Sequence, residues 1–315
     1  ARAGRAPDLA AARSLASTLP SNELAELLRG TAANALMDLY EEMTNGQIGR
    51  MPKVFPDGVV LPADGTRAAL ARPDGHADVP ILLGSNRDEN KLFLYNDPEI
   101  VRQWFGLYPS LRDPERFEHS ASTLSRHWKA TGVDELAELL APQHPGRVFG
   151  YRFDWDEEPT IFGIELGTLL GASHGFEIPF VFGHWELGPQ TGLLFDEGNE
   201  PGREALSAQM RSYWVEFATR GAPGRGLDAS LPAWKPWSTK PRGPKWMRLD
   251  TPAGGGLAMR SQLDSSAAVV AELKENRRLD DDLRCRVAAD LAAWADIAPG
   301  AATGLGCPGL DVAAE

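Results

Sequence analysis

The sequence predicts an α/β fold, on three observations. The run VPILLG (79–84) is short, apolar and bounded by Pro and Gly, as a buried strand of an α/β sheet is. A second strand is expected over RVFGYRFDW (147–155), which follows Pro-Gly and alternates aromatic with polar residues. Between and around these runs, apolar residues recur at three- and four-residue intervals, the helical period.

Residues 8–43 predict two helices, APDLAAARSLAS and NELAELLRGTAANALMDLYEEM, separated by the Leu-Pro-Ser of 19–21. Residues 44–75 are rich in Gly and Pro and predict a long loop with a short extended piece near VVLP. The strand at 79–84 leads directly into Asn86, Arg87, Asp88 and Glu89. Charged residues just past the carboxyl end of a buried strand lie on the usual catalytic edge of an α/β sheet. For Asp88 the helix dipole is an equally good explanation, since acids favour a helix N-terminus. Residues 97–140 predict three helical pieces, DPEIVRQWF, DPERFEHSASTLSRHWKA and VDELAELLA, with His119 and His127 as surface or core residues. Residues 160–170 predict a helix or loop. An amphipathic helix is expected over 201–221, with Leu206, Met210, Tyr213, Trp214 and Phe217 on its core face and Gly221 as its cap. LPAWKPW (231–237) reads as irregular and KWMRLD (245–250) as an edge strand. Two last helices are expected at about 264–277 and 279–296, and a loose tail from 299 to 315. No internal repeat and no clean domain boundary interrupt residues 1–298.

Composition narrows the function. A net charge of −12 over 315 residues argues against nucleic acid or an anionic membrane as partner. No apolar run reaches the ~18 residues of a membrane span. The Arg/Ala-rich start has no initiator Met, carries Asp8 and lacks the apolar core of a signal peptide, so it reads as a processed product or a fragment. Cys285 and Cys307 make neither a zinc spacing nor a redox pair; one bridge or two free thiols are both open. No cofactor or metal is expected.

The chemistry converges on GASHGFEIPFVFG (171–183). His174 lies between two glycines, which suggests a tight loop allowing close approach to the ring. The same stretch satisfies G-x-S-x-G with Ser173 at its centre. That motif needs a buried strand before it and an acid and then a histidine after it. FGIELGTLL (162–170) is poor strand material, and His184 follows too closely to leave room for an acid loop. His174 is therefore the preferred working residue, with Glu89 as the carboxylate that fixes its tautomer and stabilises its charged form. The acid-then-His order suits an α/β-hydrolase, but the upstream serines Ser14, Ser17, Ser21 and Ser85 sit in no glycine-flanked elbow.

These residues carry a resemblance. GSNRDE (84–89) is similar to the segment of type-B carboxylesterases, the carboxylesterase/cholinesterase family, that bears the triad glutamate. GASHGFEIPFVFG resembles its histidine segment. VFPDGVVLP (54–62), YWVEFATRGAPG (213–224) and LPAWKPW resemble further pieces in the family's order. The resemblance implies the C-terminal portion of an α/β-hydrolase fold, an incomplete central sheet with surrounding helices. It implies a serine carboxylic-ester hydrolase acting on a small-molecule ester, with Glu89 and His174 in a Ser-His-Glu triad. The family's elbow serine and oxyanion loop would lie before residue 1. It also implies substrate-gorge lining from the 44–58 loop and the 149–162 aromatics. The cysteine that some members pair near Cys285 has no upstream counterpart here. A non-catalytic adhesion protein of the neuroligin type is the alternative, and the presence of both Glu89 and His174 counts against it.

Overall fold

The structure is a computed structural model that describes residues 6–44, 56–104, 108–186, 191–294 and 305–307. The chain divides into two compact units, Ala1–Val54 and Phe55–Glu315.

The first unit is helical. It contains α1 (Leu9–Thr18), α2 (Ser21–Arg29) and α3 (Ala33–Thr44). Asp8 caps α1 by accepting the Ala11 amide at 2.7 Å, and Pro20 starts α2. The second of the two expected helices is thus split in two. Gly30 has a low helical propensity, and the Thr31 hydroxyl turns back onto the Leu27 carbonyl at 2.8 Å, so the chain leaves the helix there.

The second unit begins with a turn in place of the expected extended piece near VVLP. The Asp57 carboxylate accepts the amides of Val59, Val60 and Leu61, which curls the backbone on itself. The chain continues through α4 (Thr66–Leu70), β1 (Ile81–Asn86) and α5 (Lys91–Tyr95). Next, β2 (Val101–Trp104) pairs antiparallel with β3 (Tyr108–Leu111). Of the segment DPEIVRQWF, expected to be helical, residues 97–100 form a turn and Val101–Trp104 a strand, because Val101 finds Leu111 across the hairpin and is buried there. The helix α6 (Pro114–Lys129), capped by Asp113, runs through a π turn (Ala130–Asp134) into α7 (Glu135–Leu140).

The chain then forms β4 (Val148–Phe153), a small hairpin of β5 (Thr160–Ile161) and β6 (Ile164–Glu165), and the short helices α8 (Leu166–Leu169), α9 (Glu177–Phe182) and α10 (Thr191–Leu194). The long helix α11 (Glu200–Arg220) ends on left-handed Gly221. Leu206, Met210 and Tyr213 on its expected face are buried, with Trp214 and Phe217 packed beside them. Finally come β7 (Trp246–Leu249), β8 (Ala258–Arg260), α12 (Ser266–Glu275) and α13 (Asp281–Trp294).

The main sheet has the order β1-β4-β7-β8, with β1, β4 and β7 parallel and β8 antiparallel. β7 is therefore an interior strand, and the edge it was expected to form belongs to β8. Successive side chains pack to opposite faces. Phe149, Phe153, Met247 and Leu249 join Phe180, Met210 and Tyr213 on one side, and Val148 and Trp246 join Val133, Leu140 and Trp237 on the other. A third cluster lies between α6, α12 and α13. There Asp290 of α13 accepts Arg116 through both carboxylate oxygens and also the Ser120 hydroxyl.

Cys285 of α13 and Cys307 form a disulfide. Leu305 and Cys307 are buried, so the tail expected to be loose has a fixed point at 305–307. The rest of 299–315 lies outside the described residues.

Candidate active site

Two loops meet at the carboxyl end of the parallel strands. The first follows β1. The second, Gly171–Phe176, joins α8 to α9. Gly84 allows β1 to lie against β4, since a Cβ there would fall 1.9 Å from the Tyr151 ring. Gly171 has φ +51°, and a Cβ would fall 2.6 Å from the Asp88 carboxylate. The room that Gly171 leaves is thus filled by Asp88, and the glycine serves loop-to-loop packing instead of access to the imidazole. Gly175, at φ +82°, turns the chain into α9.

Asp88 is the fastener between the loops. Its amide donates to the Ala172 carbonyl at 3.0 Å, and its carboxylate accepts the Ala172 amide at 3.1 Å. Arg87 donates to the same carboxylate at 2.7 Å, and Lys91 lies 3.4 Å from its other oxygen. Asp88 therefore binds the second loop, a role that neither catalysis nor the helix dipole describes.

This fastening brings Glu89 to His174. The Glu89 carboxylate is buried, 4% exposed, yet neither oxygen lacks a partner. Oε1 accepts the Asn86 amide at 2.8 Å, and Oε2 lies 2.7 Å from His174 Nδ1. The ring of His174 is 48% exposed, and among the described residues Glu89 is its one hydrogen-bond partner. That hydrogen bond raises the imidazole pKa above its ordinary 6.5, burial works against it, and the charges of Glu89 and Glu177 add to the rise. Phe93 of α5 and Trp128 of α6 pack on the ring at centroid distances of 5.4 and 5.3 Å.

Ser173, one residue away, is differently placed. It is fully buried, and its hydroxyl donates to the Leu170 carbonyl. His127 is buried, and its pKa is lowered by that burial. His119 is half-buried, and His184 is exposed beside Glu186 at 3.7 Å. None of these three imidazoles joins the Glu89 pair. No group of three His, Cys, Asp or Glu among the described residues could hold a metal. Of the aromatics expected to line a gorge, Phe149, Phe153 and Trp155 are core residues, and Phe162 stands exposed at the tip of the β5–β6 hairpin. Residues 45–55 of the other expected gorge segment lie outside the described residues. Trp128 carried no sequence signal, because only the packing of α6 brings it to His174.

The profile of the carboxylesterase family matches residues 99–266, more than half of the chain. The chain belongs to the carboxylesterase family. Acetylcholinesterase of Gallus gallus is 30% identical over 219 residues, covering 59% of this chain and 27% of that protein. Carboxylesterase 5A of Felis catus is 24% identical over 266 residues, covering 77% and 46% respectively. The carboxylesterase-family chain thus spans about a quarter to a half of the length of these relatives. A solved PNB esterase superposes with a TM-score of 0.51 at 23% identity, over 80% of this chain and 50% of that one. This likeness fixes the fold as α/β-hydrolase, with four strands in the main sheet among the described residues. Among the described residues no helix is long and apolar enough to cross a membrane.

Proposed function

We propose that this chain is the acid-and-histidine part of a serine carboxylic-ester hydrolase. The observation that carries the reading is the 2.7 Å contact between His174 Nδ1 and buried Glu89. A carboxylate on Nδ1 leaves Nε2 as the basic atom. In this reading a serine on a segment outside these 315 residues gives its hydroxyl proton to His174 Nε2 as its oxygen attacks the ester carbonyl. The imidazolium then donates that proton to the departing alcohol, leaving an acyl-serine. Water repeats the sequence, with His174 first as base and then as acid, and releases the carboxylic acid. Glu89 stays ionised and orients the ring throughout.

Two further observations support the reading. The buried Ser173, with its hydroxyl committed to a carbonyl, is a poor nucleophile. And β1 is an edge strand although Ile81, Leu82 and Leu83 are apolar and only half-buried. Apolar parallel strands are normally covered on both sides, so an adjoining segment that carries the serine would find its place beside β1. The substrate class is a small-molecule carboxylic ester.

The test is an esterase assay on phenyl esters with the intact protein and with the 315-residue chain. The intact protein is expected to lose about 10⁴-fold or more of kcat on His174→Ala, and a comparable amount on Glu89→Gln. The 315-residue chain is expected to give no turnover above the His174→Ala background. Turnover by that chain that depends on His174 would refute the proposal.

A further inference from the structure

Asn86, the last residue of β1, is 2% exposed and makes three hydrogen bonds. Its backbone amide donates to Glu89 Oε1 at 2.8 Å. Its side-chain nitrogen donates to the Ser173 carbonyl at 2.7 Å and to Glu177 Oε2 at 2.5 Å. Only one orientation of the side-chain amide satisfies this site. With the oxygen turned inward, it would face a carbonyl and a carboxylate, both acceptors. One residue therefore reaches the carboxylate that bonds His174, the peptide carbonyl just before His174, and a second acid on α9.

Glu89 bonds the imidazole and Glu177 is bonded to the same Asn86, so the two acids share one residue from different elements, and neighbouring carboxylates repel one another. Each accepts a neutral amide donor of Asn86, which does not compete with the imidazolium as a cation would. The nearby cations are instead engaged elsewhere, Arg87 by Asp88 and Asp156 and Lys91 by Asp88. Tyr151 of β4 also lies among the two carboxylates, and its phenol is pushed up by burial first and then by Glu177 and Glu89, so it adds no charge. The remaining faces of the ring carry Phe93 and Trp128.

We propose that Asn86 is a positioning residue for His174, holding Glu89 on the ring and keeping Glu177 in place as a second counter-charge. The reading of His174 as the base makes this matter for catalysis, but the arrangement and its test do not depend on where the serine lies.

The experiment is an NMR titration of ¹⁵N-histidine-labelled full chain, read at His174. The unsubstituted protein is expected to titrate above 6.5 and to show a low-field Nδ1 proton bonded to Glu89. Asn86→Leu, similar in volume, keeps the backbone donor to Glu89 but loses the side-chain tether on the Ser173 carbonyl and Glu177; with the His174 loop released, the midpoint is expected to fall by about one pH unit and the low-field proton to be lost. Glu177→Gln is expected to lower the midpoint while keeping that proton. A residue that merely fills space at Asn86 would leave both readouts unmoved in a folded Asn86→Leu protein, and that result would overturn the proposal. If Asn86→Leu does not fold, Asn86→Ser is read by the same criteria. An unchanged midpoint in Glu177→Gln would overturn the counter-charge role by itself. Failure to find an upstream serine would leave these titrations as they are, so the two proposals fail separately.

Discussion

His174 is half exposed but tied to a buried carboxylate, and that hydrogen bond is the first influence on its protonation. In the proposed reaction the rate-competent form is the neutral imidazole. Because Glu89 raises its pKa, the acid limb of kcat/KM for the intact protein is expected to fall above pH 6.5 and to move down toward it in Glu89→Gln. An acid limb at or below 6.5 in the unsubstituted protein would contradict the pairing. The same shift makes the pair's contribution to stability present below the unfolded value of about 6.5 and lost as pH rises through the folded pKa. Glu158 carries a linkage over a different window. It is 8% exposed, and neither carboxyl oxygen has a hydrogen-bond partner among the described residues. Burial, helped by the charges of Asp156 and Asp88, pushes its pKa from 4.5 to about 8. An acid raised in this way favours the fold fully below 4.5 and loses that advantage as pH climbs to 8. The loss is on the order of 5 kcal/mol. Glu158→Gln is expected to flatten the fall of Tm between pH 5 and 8 and to exceed the unsubstituted protein at pH 9. Identical pH profiles would show that Glu158 ionises freely in the fold.

At the scale of elements, α13 is held twice, by Asp290 on Arg116 and Ser120 of α6 and by the Cys285–Cys307 bridge. The bridge closes a span of 22 residues, for which loop closure predicts about 3 kcal/mol. Reduction, or Cys307→Ala, is expected to lower Tm by several degrees, and an unchanged Tm would mean that residues 305–307 contribute nothing to the fold. Elements whose pattern is local were legible in the sequence. The apolar run of β1, the alternation of β4 and the helical period of α6, α11, α12 and α13 all appear where they were expected. Elements that depend on a distant partner were not. Val101 is paired with Leu111 by a hairpin, and β7 became interior only because β8 returns antiparallel beside it. The site divided in the same way. Glu89 and His174 stood in recognisable segments. Asn86 stood in one of them without a visible task, since its partners Ser173 and Glu177 are 87 and 91 residues away. Trp128 reaches the imidazole only through the packing of α6.

For the whole molecule, the relation between the two halves of the chemistry is what matters. The described structure presents an acid–imidazole pair at the carboxyl end of the parallel strands, next to an apolar edge strand, in a chain of the carboxylesterase family that spans at most about half the length of these relatives. In the proposed function the nucleophile lies on a neighbouring segment. The most direct measurement is fluorophosphonate labelling of the protein at its native length, with the tagged peptide mapped by mass spectrometry. The account predicts a single labelled serine outside these 315 residues, with labelling lost in His174→Ala. A label on Ser173, or no label at all, would contradict it.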